Sequence, residues 1–460
     1  MSVIAETTSG PIQGRVKDDV VLFSGVPYAA APVGPLRFRA PQPHEGWEEV
    51  RQTTRFGLAA PQVATGGMTN TVPVPWSEDC LYLNISTPAV DDNRRPVFIW
   101  IHGGGYRSGQ GAVPWYNGAS FANRGDIVTV SINYRMGVFA FADLSRFGDD
   151  YATSGANGTL DQITAIRWVR ENIAAFGGDP EQITIGGESA GGFSVATVLA
   201  SPLAQGLFRG AIPQSGAAHH TLSKADGEQC TDLLLSQLGV SDLQSLLSLD
   251  AESLLAAQTE IDKSQRGFNG VSPFYPVEGN PVVPVNPLQA IKAGAGRDVA
   301  VLTGTNKDEA TLFVMGEVDE ARLQREAERY GGGAALLETY RAAMPGASAT
   351  ELSVAMSTDF TFRLPAIRLA EARAAFTDRT WMYLFAWESR NPALKSTHAL
   401  EIPFVFNTLS KPGVAAFIGQ GEPPQALADT MHDAWIEFIR TGSVSWAPYT
   451  PEDRQCMIFD

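Results

Sequence analysis

Cysteine is scarce: Cys80, Cys230 and Cys456 are the only three in 460 residues. An odd number in so long a chain leaves at least one thiol free and argues against a disulfide framework, which points to a reducing cytoplasm. Long apolar runs are missing too. The longest uncharged stretches, such as Val97-Phe98-Ile99-Trp100-Ile101, fall far short of the roughly 20 residues that a membrane-spanning helix needs. Met1 to Gly14 has neither the basic nor the apolar region of an export signal and reads, at Glu6-Thr7-Thr8-Ser9-Gly10-Pro11, as the turn of a β-ribbon. Basic residues are outnumbered, 34 Lys and Arg against 50 Asp and Glu, for a net charge of −16. Such a field repels nucleic acid and anionic membrane, so neither is expected as a partner. No His-Glu-x-x-His, clustered Cys/His or phosphate-binding Gly-Lys motif occurs, so no metal or organic cofactor is implied.

What is present is apolar bulk: 44% hydrophobic and 18% charged residues can fill a large core. Pro and Gly are spread along the chain as local punctuation and mark no domain boundary. Short β-branched runs alternate with helical patterns: Val97 to Ile101, Ile127 to Ile132, Ile183 to Ile185, Ala211-Ile212, Val299 to Thr303 and Trp381 to Phe385. That alternation predicts an α/β fold with a central, mostly parallel sheet flanked by helices. The clearest helix runs from about Leu160 to Phe176, with Ile163, Ile166, Val169, Ile173 and Phe176 on one face and Gly177-Gly178 as its stop. We expect one domain over residues 1–460, with helical side or cap segments at about 217–297 and 310–378.

Ile183-Thr184-Ile185-Gly186-Gly187-Glu188-Ser189-Ala190-Gly191-Gly192 runs a strand into Gly-x-Ser-x-Gly and on into a helix-compatible stretch. A sharp strand–turn–helix bend brings neighbouring backbone so close that only glycine fits, and it lifts the Ser189 hydroxyl above the sheet. The three-residue pattern alone is weak, and its context makes it specific. A nucleophilic serine needs a base, an acid behind that base, and donors for the developing oxyanion. The donors are sought in His102-Gly103-Gly104-Gly105, directly after the strand ending at Ile101. Gly104 and Gly105, with the N–H of Ala190, would supply an oxyanion hole. His102 is expected to orient that loop. The base should follow both serine and acid in the chain. Of six histidines, His44 and His102 come too early, and His219-His220 leave no room for an acid-bearing strand. His432 sits in an amphipathic helical stretch where a satisfied structural role is expected, which leaves His398, on a polar loop after the strand Trp381 to Phe385. The acid follows the strand Val299 to Thr303, where Asp308 and Glu309 are adjacent and spacing does not choose between them. Glu188, beside the nucleophile, either tunes the local field or holds its loop.

These residues resemble the type-B carboxylesterase family of α/β-hydrolases, in the bacterial para-nitrobenzyl esterase branch. The likeness is collinear over nearly the whole chain: Phe23-Ser24-Gly25-Val26-Pro27-Tyr28-Ala29, Pro35-Leu36-Arg37-Phe38, Ser77-Glu78-Asp79-Cys80-Leu81-Tyr82-Leu83-Asn84, Asn133-Tyr134-Arg135, Asn157-Gly158 with Asp161-Gln162, and Phe176-Gly177-Gly178-Asp179-Pro180. The resemblance implies that the acid is the Glu of Lys-Asp-Glu, Glu309, and that the base is His398, ahead of Glu401-Ile402-Pro403-Phe404-Val405-Phe406. It maps the oxyanion glycines onto Gly104 and Gly105. Three departures stand out. No cysteine upstream matches Cys80, which implies a buried free thiol. Asn70 stands where cholinesterases carry a Trp, which implies that choline esters are poor substrates. Ala310 replaces the Gly that usually follows the acid.

The expected chemistry is serine hydrolysis of neutral carboxylic esters, short to medium acyl or aryl, through an acyl-enzyme, the partner being a small-molecule ester and a monomer sufficing. The expected limb of the pH profile lies near the His reference of about 6.5. The segment at 262–277 is a candidate gate. Two rival readings are an amidase or carbamate hydrolase with the same triad, and a non-catalytic binding member of the fold.

Overall fold

The structure is a computed structural model and describes residues 2–63, 74–264, 271–314 and 316–460. Asn70 and the middle of the 262–277 segment lie outside the described residues. Among the described residues twelve strands form one sheet: β1 Ser2–Thr7, β2 Gly10–Lys17, β3 Val20–Pro27, β4 Arg51–Gln52, β5 Tyr82–Thr87, β6 Arg95–Ile101, β7 Val128–Ile132, β8 Gly178–Glu188, β9 Gly210–Gln214, β10 Ala300–Asn306, β11 Thr380–Phe385 and β12 Met457–Phe459. Their order is β1-β2-β3-β5-β7-β6-β8-β9-β10-β11-β12, with β4 paired to β2. From β7 to β12 every pairing is parallel, whereas β1, β2, β3, β5 and β7 pair antiparallel. The six β-branched runs in the sequence are the hearts of β6 to β11, and nearly all their side chains are buried, on both faces, as a helix-covered parallel sheet requires. The Thr7–Gly10 turn joins β1 to β2, with Gly10 at φ 133°.

The helices used below are α1 Asn157–Asn172, α2 Ala190–Ala200, α3 Lys224–Leu238, α4 Ala251–Ser264, α5 Glu320–Arg329, α6 Gly333–Ala343, α7 Ala349–Thr358, α8 Leu364–Ala374 and α9 Gln425–Thr441. In α1 the stripe Ile163, Ile166 and Val169 is fully buried. The last turn expected of that helix, Ile173–Phe176, is instead a 3₁₀ turn that Gly177 ends in the left-handed conformation. Between α7 and α8 the backbone widens into a π-helical turn, Asp359–Arg363, a distortion that recurs beside functional sites. Among the described residues no helix is long and apolar enough to cross a membrane.

The sequence motifs away from the sheet ends turn out to be struts. Arg135 forks onto Asp161, Nε to Oδ2 at 2.8 Å and Nη2 to Oδ1 at 2.7 Å, both side chains buried. Asn157 donates to the carbonyls of Phe38 and Arg39 at 2.7 and 3.0 Å, tying the start of α1 to the N-terminal ribbon. Cys80 and Cys230 are buried free thiols, and Cys456 is a free, exposed one.

Candidate active site

All the candidate residues follow the carboxyl ends of parallel strands, where open α/β sheets place their ligands. β8 ends at Glu188 and α2 begins at Ala190, so Ser189 alone makes the turn, at φ 58° and ψ −125°. A non-glycine residue there is strained by about 1–3 kcal/mol. The surroundings hold it: its N–H donates to the Gln214 carbonyl at 3.0 Å and its own carbonyl accepts from Phe193 at 2.8 Å. The pattern demands glycine because a Cβ on residue 191 would lie 2.1 Å from the Ile101 carbonyl oxygen. The elbow and the end of β6 are therefore pressed together.

After Ile101 the chain turns through Gly104 at φ 112° and Gly105 at φ 62°. A Cβ on Gly104 would sit 2.0 Å from the Ser108 carbonyl. The Gly104 carbonyl accepts from the N–H groups of Arg107 and Ser108 at 3.0 and 3.1 Å, which fixes the loop. Among the described residues no acceptor takes the N–H of Gly104, Gly105 or Ala190, the last being an unpaired donor of the first turn of α2. His102 is buried, its Nδ1 2.8 Å from the Gly103 carbonyl and its own carbonyl accepting from Tyr134 at 2.8 Å. Burial drops its pKa to about 4. It is a neutral part of the loop.

His398 stands between two buried carboxylates. Its Nδ1 is 2.6 Å from Glu309 Oε2 and its Nε2 is 3.1 Å from Glu188 Oε1. Glu309 Oε1 accepts from the Ser215 hydroxyl at 2.6 Å and from the Asn306 N–H at 2.7 Å. With every Glu309 oxygen accepting, Nδ1 carries a proton. Asp308 faces away, its Oδ2 3.4 Å from the Ser396 N–H. A further buried acid, Glu401, accepts from Asn306 Nδ2 at 2.7 Å and Gln214 Nε2 at 3.1 Å. Burial pushes its pKa up to about 7, with Glu309 adding to the rise. Glu188 is driven well above the usual carboxyl range by burial, only partly offset by His398. Burial alone would lower His398, but Glu188 and then Glu309 outweigh it and push it up to about 9. This departs from the ordinary value near 6.5 that the sequence suggests, because three acids converge on one ring. His432 lies elsewhere, its Nδ1 2.7 Å from the Val405 carbonyl.

Ser189, Glu188, His398, Gly104 and Gly105 share the wall of a cavity of about 660 Å³, a size suited to a small organic ligand. No hydrogen bond joins the Ser189 hydroxyl to His398 among the described residues; in this conformation Nε2 faces Glu188 instead. Phe362 and Phe313 flank the imidazole, with ring centres 4.7 and 5.1 Å away. His220 stacks on Phe193 at 3.6 Å, and burial lowers its pKa to about 3, so it contributes a neutral ring to the wall. A larger hollow, about 1030 Å³ between α9 and β12, holds none of the candidate residues.

The whole chain, residues 1–460, matches the model of the Carboxylesterase family. The chain belongs to that family. It is 37% identical to a para-nitrobenzyl esterase of Bacillus subtilis (strain 168), over 99% of this chain and 94% of that protein. It is 34% identical to a phenmedipham hydrolase of Pseudarthrobacter oxydans, again over 99% of this chain and 94% of the relative. A carboxylesterase crystal structure from Geobacillus stearothermophilus superposes with a TM-score of 0.89 at 39% identity, covering 99% of this chain and 96% of that one. The protein is thus a carboxylesterase of the α/β-hydrolase fold, an enzyme that hydrolyses small-molecule esters.

Several residues of this carboxylesterase's site escape a reading by motif. Ser215 and Asn306 grip Glu309, and both sit at carboxyl ends of strands, β9 and β10, the first and second strands beyond the elbow strand. Strand order, had it been known, would have singled them out. Phe313, Phe362 and Phe417 reach the cavity from segments remote in sequence, and no local pattern marks them.

Proposed function

We propose that this carboxylesterase cleaves short to medium acyl or aryl esters through an acyl-enzyme formed on Ser189. His398 acts as base and Glu309 as the acid behind it. The observation that carries the reading is the 2.6 Å contact between His398 Nδ1 and Glu309 Oε2 in the wall of a cavity that also holds the strained Ser189 turn. Glu309 keeps the Nδ1–H tautomer, so Nε2 is free to take a proton. As substrate fills the cavity, Nε2 turns from Glu188 to the serine hydroxyl; such contacts commonly tighten only in the complex. Oγ then attacks the ester carbonyl carbon while its proton passes to Nε2. The oxyanion that forms is met by the N–H groups of Gly104, Gly105 and Ala190, each donor being worth about 10²–10³ in rate when well aimed. The imidazolium returns the proton to the departing alcohol, and water repeats the sequence on the acyl-enzyme. Glu188 sets the charge that Nε2 feels.

We also place the enzyme in the cytoplasm as one 460-residue domain whose helices α3 to α8 shape the cavity. Its free thiols support the reducing compartment, and its −16 charge supports the lack of nucleic-acid or membrane partners. A fluorophosphonate probe tests the assignment. Labelling of wild type that disappears in Ser189→Ala is expected. Absence of labelling in folded wild type would mean a non-catalytic binding protein. Faster turnover of a p-nitroanilide than of the matched p-nitrophenyl ester would favour the amidase reading.

A further inference from the structure

The cavity is lined by apolar rings, Phe193, Phe313, Phe362 and Phe417, and by charged side chains of α5. Among the described residues three arginines line the cavity: Arg107, Arg322 and Arg329. Two are already neutralised. Arg107 forks onto Asp262, and Arg322 Nε lies 2.9 Å from Glu326 Oε1, whose other oxygen accepts from Ser353. Arg329 has no carboxylate within ion-pair distance among the described residues. Its Nη2 donates to the Tyr330 hydroxyl at 3.1 Å and its guanidinium lies 5.0 Å from the centre of that ring. Tyr330 is in turn stacked on Phe360 at 4.5 Å and bonded to the Ser357 hydroxyl at 3.0 Å. The guanidinium is thereby held in place over an anchored ring with most of its donors open. Glu328, next in the chain, takes Gln324 instead and does not line the cavity.

The −16 charge by itself suggests uncharged substrates. The local arrangement argues otherwise, because an unpaired arginine fork is the group that best recognises a planar carboxylate. The net charge repels such an ion in general, so an unpaired guanidinium on α5, distant from the elbow in sequence and lining the same cavity, has a selective effect. We propose that the preferred substrates are esters bearing a second, free carboxylate distant from the scissile bond, such as half-esters of dicarboxylic acids, with Arg329 holding that carboxylate. The inference rests on the esterase reading and names its substrate class. Hydrolysis itself is unchanged: water and the ester give the acid and the alcohol, and the distant carboxylate takes no part in bond making.

The test compares kcat/KM for the mono-p-nitrophenyl ester of suberic acid and for p-nitrophenyl octanoate, in wild type, Arg329→Gln and Arg329→Lys, at low and high salt. The readout is the ratio of the two substrates, in which any general damage to the site cancels. Arg329→Gln is expected to lower the ratio of acid-ended to methyl-ended ester by up to about five-fold, as befits an ion pair with an exposed arginine. Arg329→Lys should retain part of it, and the wild-type ratio should fall as salt is raised. A ratio that Arg329→Gln leaves unchanged, or that ignores salt, overturns the proposal while octanoate turnover keeps the esterase reading intact. Failure of wild type to turn over either ester would instead sink that reading.

Discussion

Glu309→Gln is the substitution whose outcome the geometry dictates most tightly. Two donors, the Ser215 hydroxyl and the Asn306 N–H, converge on Glu309 Oε1 at 2.6 and 2.7 Å. In the variant the amide oxygen must occupy that position, because the alternative would aim an NH₂ group at the Asn306 N–H, leaving buried donors facing each other. The amide NH₂ then faces His398 Nδ1, where the carboxylate oxygen sat at 2.6 Å. Nδ1 becomes an acceptor, the ring proton moves to Nε2, and the side of the imidazole that must take the serine proton is blocked. The charge that would stabilise the imidazolium is lost with it. Together these effects should cost about 10⁴ in kcat, or about 5 kcal/mol in the barrier, with folding preserved because both donors remain satisfied. Steady-state hydrolysis of p-nitrophenyl butyrate, alongside circular-dichroism melting, measures both. Asp308→Asn is the control, since Asp308 touches Ser396 and not the ring. A fall in kcat of less than about tenfold in folded Glu309→Gln, or an equal fall in Asp308→Asn, would refute the reasoning.

Other expectations rest on the same neighbourhood and on the frame around it. The wild-type acid limb of kcat/KM should lie above the ordinary histidine value, towards about 9, because a raised pKa keeps the imidazole protonated, and unable to accept, until higher pH. Glu188→Gln removes the carboxyl group that raises His398 most and should move that limb to lower pH by about one pH unit or more; a limb that stays put in a full pH–rate profile would remove Glu188 from the account. Asp161→Ala strips the buried partner from Arg135 and should cost about 3–5 kcal/mol in urea unfolding, against a loss near zero if water could reach the guanidinium. Dialysis against a chelator should leave ester turnover as it was, since no group of His, Cys, Asp and Glu among the described residues could hold a metal ion; lost activity restored by a divalent cation would show otherwise.

Much of this enzyme was legible in local sequence because its constraints are local. Only glycine fits at residue 191, 2.1 Å from a neighbouring carbonyl once a Cβ is added, and only a β-branched run buried on both faces reads as β6 or β8. Such demands leave their mark within a few residues, so the strand–turn–helix bend, the glycine loop and the parallel sheet could be read before any coordinates. Where pattern stopped, it stopped for a physical reason. Asp308 and Glu309 are equivalent by spacing; the family resemblance points to Glu309, and the physical reason lies in the tertiary fold, which sets Glu309 against Nδ1 and turns Asp308 to Ser396. Proximity between residues 188, 309, 398 and 401 is made by strands adjacent in the sheet and far apart in the chain. The elevated pKa of His398 follows from that crowding and from burial, neither of which has a sequence period. The charge that α5 brings to the cavity belongs to the same category: α5 alone reads as an ordinary solvated helix rich in Arg and Glu, and only the fold makes Arg329 line the cavity while pairing Arg322 with Glu326.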